Sequence, residues 1–296
     1  MRQKYLIPCI KLLSIEEQKL INAANCIILK SAELKLERAL YHINELEKCI
    51  KEFLNSNPYE ISYLPIKPDK DGKTERYDVI FKKNNPIPDQ FNLILGDAMH
   101  NIRAAFDYLA FALVKSYAKD SPVNEKDISF PFTQNREKFE KHVKKRLPYL
   151  CKNLELIDRI EKLQPYNFVN SKKGTQKNLL TTIRDLDNID KHRYTNDIYV
   201  YPKIMIHIKT LRPDFQSYDH QGGDRYRIGT YIFPTKCLED EFDLIYDYGF
   251  YIKNISLEYV DVRQHLKLWV NFSKTYFRFI VNPELLPEGH FLKNIC

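Results

Sequence analysis

LILGDAMHNIRAAFDYLAFALV, residues 93–114, is the stretch on which the architecture turns, because its apolar residues recur at three- and four-residue steps. Leu95, Met99, Ile102, Phe106, Leu109 and Leu113 fall on one heptad-like seam, the pattern of a helix lying along another helix. Pro86 and Pro88 stand just before it, so the helix is predicted from Asp89 to about Tyr117. Its other side mixes Ala104, Tyr108 and Phe111 with Asp97, His100, Asn101 and Asp107, which predicts neighbours on two sides with polar groups between them.

The partner helix lies upstream. Ser14 and Glu17 form a capping box ahead of a helical stretch to about Leu54, one helix or two joined near Lys30. Its predicted stripe runs through Leu20, Ala24, Ile27, Ser31 and Leu34, then Leu40, Ile43, Leu46, Ile50 and Phe53. YEISYL and ERYDVIF alternate around the turn-forming DKDG at 69–72, giving a β-hairpin at about 59–83. Downstream of the central helix, shorter helices are predicted at 136–146 and 153–163, followed by KNLLTTIRDLDNIDKHR, where Leu179, Ile183 and Leu186 lead to Asp190 at a core position. A carboxylate there requires a cationic or hydrogen-bonding partner. From Asp197 alternation takes over, with strands in IYVYPKIMIHIKTL, RIGTYIF, FDLIY and GFYIKNISLEYV. The spacing of Leu266, Trp269, Val270 and Phe277 predicts a last helix that returns to the bundle. The fold class is α+β: a helical bundle over 1–195 interrupted by the hairpin, and an antiparallel β-rich region over 196–296 with a closing helix.

With 44% hydrophobic, 29% charged and 13% aromatic residues, the 296-residue chain has the composition of a folded protein and not of a disordered one. The six cysteines are scattered without a C-x-x-C pair, which reads as reduced thiols and a cytoplasmic location. The apolar start is broken by Pro8 and Lys11, and no apolar run is long enough for a bilayer, so no membrane association is expected. Charge is uneven: residues 135–177 carry 12 Lys and Arg against 5 Asp and Glu, and the remainder balances at 34 against 34. Lys141, Lys144, Lys145, Arg146, Lys172 and Lys173 in that segment are candidate phosphate contacts, against the plainer reading of a solvated helix face.

Two dense groupings of titratable residues sit on predicted core helices: 96–107, with Asp97, His100, Asn101, Arg103 and Asp107, and 190–193, with Asp190, Lys191, His192 and Arg193. Together they form one candidate site. His100 and His192 are suited to acid–base work and Arg103 to charge stabilisation, with Asp97, Asn101, Asp107, Asp190, Lys191 and Arg193 in support. The same groups would equally suit a network that fixes helix register. Asp97-x-x-His100 has the i, i+3 spacing of bundle metal ligands, but no second such motif occurs, so neither metal nor cofactor is expected. Walker A, G-x-G-x-x-G and G-x-S-x-G motifs are absent, and eight glycines leave few phosphate-cradling loops. Aromatics of the C-terminal strands could stack on bases, although alternating aromatics mostly mark core.

GDAMHNIRAAFDYLA, LQPYN and NIDKHR, in this order, resemble a group of uncharacterised bacterial proteins whose usual form is close to GDALHNLRSALDHL, LQPY and N-x-DKHR. The resemblance spans about residues 30–200 and implies a helical domain. More loosely, the chain resembles the HEPN superfamily, helical-bundle proteins that include dimeric, metal-independent ribonucleases of toxin and phage-defence systems. Their signature is Arg, four to six residues, then His. Here the matching positions are Arg103 and Tyr108, so His100 or His192 would take the histidine's role. One intact match, Arg136 to His142, is of the kind that 14 Arg and 8 His supply by chance about once. The resemblance implies an RNA-cleaving effector or toxin acting as a homodimer or with the product of a neighbouring gene; the alternative is a non-catalytic nucleic-acid- or protein-binding scaffold subunit.

Overall fold

The computed structural model describes residues 15–66, 74–118, 121–168, 179–192, 197–207, 214–217, 225–234, 243–252 and 261–285. Ser14, the turn at 69–72 and Gly222–Gly223 lie outside the described residues. The fold is mixed, with long helices and small antiparallel sheets.

Helix α1 (Ile15–Asn55) is continuous over 41 residues, with no break near Lys30. Helix α2 (Gln90–Ala118) runs back along it, since Phe53 meets Phe91 at one end while Lys35 lies over Tyr108 further along. All six seam residues of α2 are buried as their spacing predicts. The α1 face that meets them consists of Ala32, Leu36, Ala39, Ile43, Leu46 and Ile50, the same alternation of four- and three-residue steps. Matched 3.5-residue repeats of this kind keep one seam in contact over the length of both helices. The predicted α1 stripe is therefore corrected at Ser31 and Leu34, which face outward, while Ala32, Leu36 and Ala39 take the seam; the side chains of Leu20, Ala24 and Ile27 lie outside the described residues.

Hairpin strands β1 (Tyr59–Ile66) and β2 (Thr74–Lys83) pair antiparallel, Tyr59 opposite Lys83, as the alternation predicts. Helices α3 (Arg136–Arg146), α4 (Leu154–Lys162) and α5 (Leu179–His192) follow at the predicted places, the first two capped by the side chains of Asn135 and Asn153. Strands β3 (Ile198–His207), β4 (Asp214–Ser217), β5 (Arg225–Pro234) and β6 (Asp243–Ile252) complete two sheets, ordered β1-β2-β5-β4 and β3-β6. The FDLIY and GFYI segments are one strand and not two. The strand passes through Gly249, where a Cβ would overlap the Tyr251 ring; glycine leaves that ring room to fold back along its own strand.

Helix α6 (Val262–Val281) closes the bundle, capped by Asp261, whose Oδ1 accepts from Arg263 N at 3.0 Å. It returns to α1 through Lys267 Nζ and Glu47 Oε2 at 2.6 Å, and to α2 through Phe277 against Phe106 at 4.8 Å between ring centroids. Phe106 also meets Phe130 at 4.9 Å and Phe132 at 5.4 Å, so one wholly enclosed ring joins α2, α6 and the 130–132 segment. Among the described residues no helix is long and apolar enough to cross a membrane.

Phe106→Ala is expected to cost about 3–5 kcal/mol, the range for deleting a buried phenyl ring that its surroundings cannot refill. Urea unfolding would show it, and a loss below about 1 kcal/mol would mean that the three aromatic contacts are not holding these elements together.

Candidate functional site

Residues 92, 96 and 100 of α2 follow one another at four-residue steps and so share one face. Each meets a different point on the α5–β3 stretch. Asn92 Oδ1 accepts from Ile198 N at 2.9 Å. At Gly96 an added Cβ would overlap the Asp190 carboxylate, so the absence of a side chain is what lets α5 approach. His100 Nδ1 lies 3.2 Å from Asp187 Oδ1. The second oxygen of Asp187 accepts from Lys191 Nζ at 2.9 Å, so one carboxylate is shared between a histidine and a lysine. Asp187 is only 4% exposed, whereas the His100 side chain is 49% exposed. A carboxylate that deep requires partners for both oxygens, and it has them.

The two motif helices are thus neighbours, but the pairing expected of Asp190 falls to Asp187. The buried stripe of α5 is Leu180, Ile183 and Asp187, with Leu186 beside it, so the carboxylate at a core position is one turn earlier than expected. Sequence reading passed over Asp187, although its four-residue spacing to Lys191 was a usable signal. Asp190, half-buried above Gly96, has its carboxyl pushed above the usual range, first by burial and then by the negative charges of Asp187 and Asp97; His100 and Lys191 oppose the shift.

Arg103 belongs to a second cluster. Its guanidinium stacks 3.7 Å from the centre of the Phe132 ring, its Nε donates to Asp107 Oδ2 at 3.5 Å, and it makes no hydrogen bond or ion pair with His100, Asp187 or Asp190. Asp107 Oδ1 accepts from Phe130 N at 2.8 Å, tying α2 to the segment before α3. His142 Nε2 donates to the Ser129 carbonyl at 2.8 Å on the same segment. Burial lowers the basicity of His142, and Arg146 and Arg103 lower it further. Asn101 Nδ2 donates to the Asp97 carbonyl of its own helix at 2.8 Å, which removes it from both clusters. Tyr108 is exposed, with Lys35 over its ring.

Part of the basic segment is neutralised internally. Lys141 pairs with Glu137 at 2.7 Å, Arg136 with Glu140 at 3.1 Å, and Arg146 with Asp127 at 2.7 Å. Lys144 and Lys145 are exposed and make no ion pair among the described residues. The His192 side chain, Arg193, Lys172 and Lys173 lie outside the described residues. Among the described residues no three His, Cys, Asp or Glu side chains converge as a metal site. No protein-family model, curated protein or solved structure matches the chain, so the site is read from its own geometry.

Two outcomes follow from the α2–α5 contact. Gly96→Ala is expected to cost about 1–3 kcal/mol through overpacking, and most of that cost should vanish when Asp190→Ala is added, a coupling that a double-mutant cycle on urea unfolding would detect. Because the folded state raises the Asp190 carboxyl, it holds that proton more tightly than the unfolded chain does. The ionised group therefore costs stability above its folded-state range, and that cost disappears as pH falls through it. Asp190→Asn should accordingly raise Tm at about pH 8, with the gain shrinking toward about pH 4. A gain that grew on acidification would contradict this sign.

Proposed function

We propose that the α2–α5 junction is an acid–base centre and that the protein is a HEPN-like, metal-independent RNA-cleaving effector or toxin, of the kind used in phage defence. The observation that carries the proposal is the half-exposed His100 ring held at Nδ1 by the almost wholly buried Asp187. A carboxylate at Nδ1 favours the tautomer with its proton there, which leaves Nε2 as the basic nitrogen. Nε2 would take the ribose 2′-hydroxyl proton; the 2′-oxygen would attack phosphorus, the 5′-oxygen would leave as a hydroxyl with a proton from solvent, and a cyclic phosphate would remain. Lys191, on the other oxygen of Asp187, is the cation paired with the dyad and takes the charge-balancing role otherwise assigned to Arg103. Arg103 acts through Asp107 and Phe132 to hold the segment before α3.

Lys144 and Lys145 supply cationic surface for the RNA backbone. The HEPN resemblance supports a homodimer, or a complex with the product of a neighbouring gene. A second reading is favoured by the acidity of the centre, since the Asp190 carboxylate lies within the influence of the negative charges of Asp187 and Asp97, which together repel a phosphodiester. In it the chain is a non-catalytic nucleic-acid- or protein-binding scaffold, and the network serves only to fix α2 on α5.

Labelled total RNA in excess EDTA separates the two. At verified equal folding, His100→Ala and Asp187→Asn should each slow cleavage, the former about 10²–10⁴-fold, while Arg103→Ala lowers stability more than rate. Absence of cleavage by wild type, alone or with the products of neighbouring genes, selects the scaffold reading. Cleavage indifferent to His100→Ala would place the centre elsewhere.

A further inference from the structure

The α2 face that carries Asn92, Gly96 and His100 leads to an open cleft of about 460 Å³ between the segment leaving β2 and the first residues of β3. That volume is within the range of small-ligand sites. Its walls combine three kinds of group. Tyr199 is 38% exposed and is backed by the buried Tyr251 at 5.5 Å between centroids, a phenol face with a fixed support. Asn84 and Asn85 present side-chain amides that make no hydrogen bond within the chain among the described residues, while their backbone N–H groups both donate to the Pro58 carbonyl, at 2.8 and 3.2 Å. Lys83 adds a cation at the end of β2.

We infer that this cleft is a pocket for a single unpaired nucleotide, which deepens the RNA-directed reading above and rests on it. An exposed, supported aromatic face accepts a base by stacking, and side-chain amides, each both donor and acceptor, match the hydrogen-bonding edge of a base. Position agrees with this chemistry. Ile198, on the cleft wall, is tied through its N–H to Asn92, and Asn92 stands two steps of the same α2 face from His100. Asn92 and His100 stand about 12 Å apart along α2, so a base in the cleft would anchor a strand that could run on toward the dyad. Such anchoring lets an acid–base centre with an acidic surround act on RNA, because stacking and amide contacts hold the strand where charge alone would not.

The test is binding of adenosine, guanosine, cytidine and uridine 5′-monophosphates to the full chain in EDTA, by calorimetry, with Tyr199→Ala, Tyr199→Phe and the Asn84→Ala/Asn85→Ala pair. Wild type should bind at least one monophosphate, Tyr199→Phe should retain the affinity, and Tyr199→Ala and the asparagine pair should each lose about tenfold or more. Failure of all four nucleotides to bind, or binding unmoved by Tyr199→Ala and the asparagine pair, overturns the pocket. Nucleotide binding with this pattern but without RNA cleavage supports the pocket and removes only the catalytic reading; cleavage that persists without nucleotide binding removes only the pocket.

Discussion

Everything in this molecule is hung from the packing of α2 against α1. Two helices whose buried residues repeat at the same alternating four- and three-residue steps can stay in register over six contacts each, with little freedom to slide or rotate. That fixes which sides of α2 remain for other partners. One remaining side, at residues 92, 96 and 100, is taken by α5 and the start of β3; another, at 103 and 107, is taken by the segment before α3. Phe106, on the seam itself, reaches past α1 to α6, so the closing helix is positioned by the same contact. A functional account of the chain is therefore largely an account of what α2 presents on each side.

The separation of those sides has a chemical meaning. Residues that stand within two turns of one another in sequence are divided between a half-open acidic cluster and a closed, stacked one. Arg103 is satisfied by a ring and a carboxylate, an arrangement that anchors a loop. His100 keeps half of its surface open while a buried carboxylate fixes one nitrogen, an arrangement suited to moving a proton. Positive surface lies elsewhere, on α3, where Lys144 and Lys145 remain after neighbouring acids have paired with Arg136 and Lys141. The count of Lys and Arg along a segment thus overstates the cation available to a ligand, since each i, i+4 pair occupies one.

What could be read from sequence depended on whether the signal was local. The α2 seam, both short helices and the β1–β2 hairpin follow from spacing that acts within a few positions, and they were legible. The closing helix was legible too, through Leu266, Trp269, Val270 and Phe277. The middle of α1 was not, because Ala32 and Ala39 are weak apolar markers and Leu34 a strong one; only the facing helix decides which of them is buried. Asp187 was overlooked for a related reason: an aspartate on a core stripe is recognised by its partners, and His100 lies 87 residues away. Joining FDLIY to GFYI required knowing that the Tyr251 ring occupies the space a side chain at 249 would need.

The order of strands also sets a timetable for synthesis. Val79 of β2 sits opposite Gly229 of β5, so at the usual 5–20 residues per second the ribosome needs roughly 8–30 s after making one to deliver the other. For that interval β2 has β1 on one side and an unfilled row of amides and carbonyls on the other, an invitation to any passing strand. A helical pair that forms early on local contacts and a sheet that waits for a distant segment make the newborn chain half finished and adhesive. Expression at low temperature, where synthesis and misassembly compete differently, is the condition under which this architecture would most plainly reveal that waiting time.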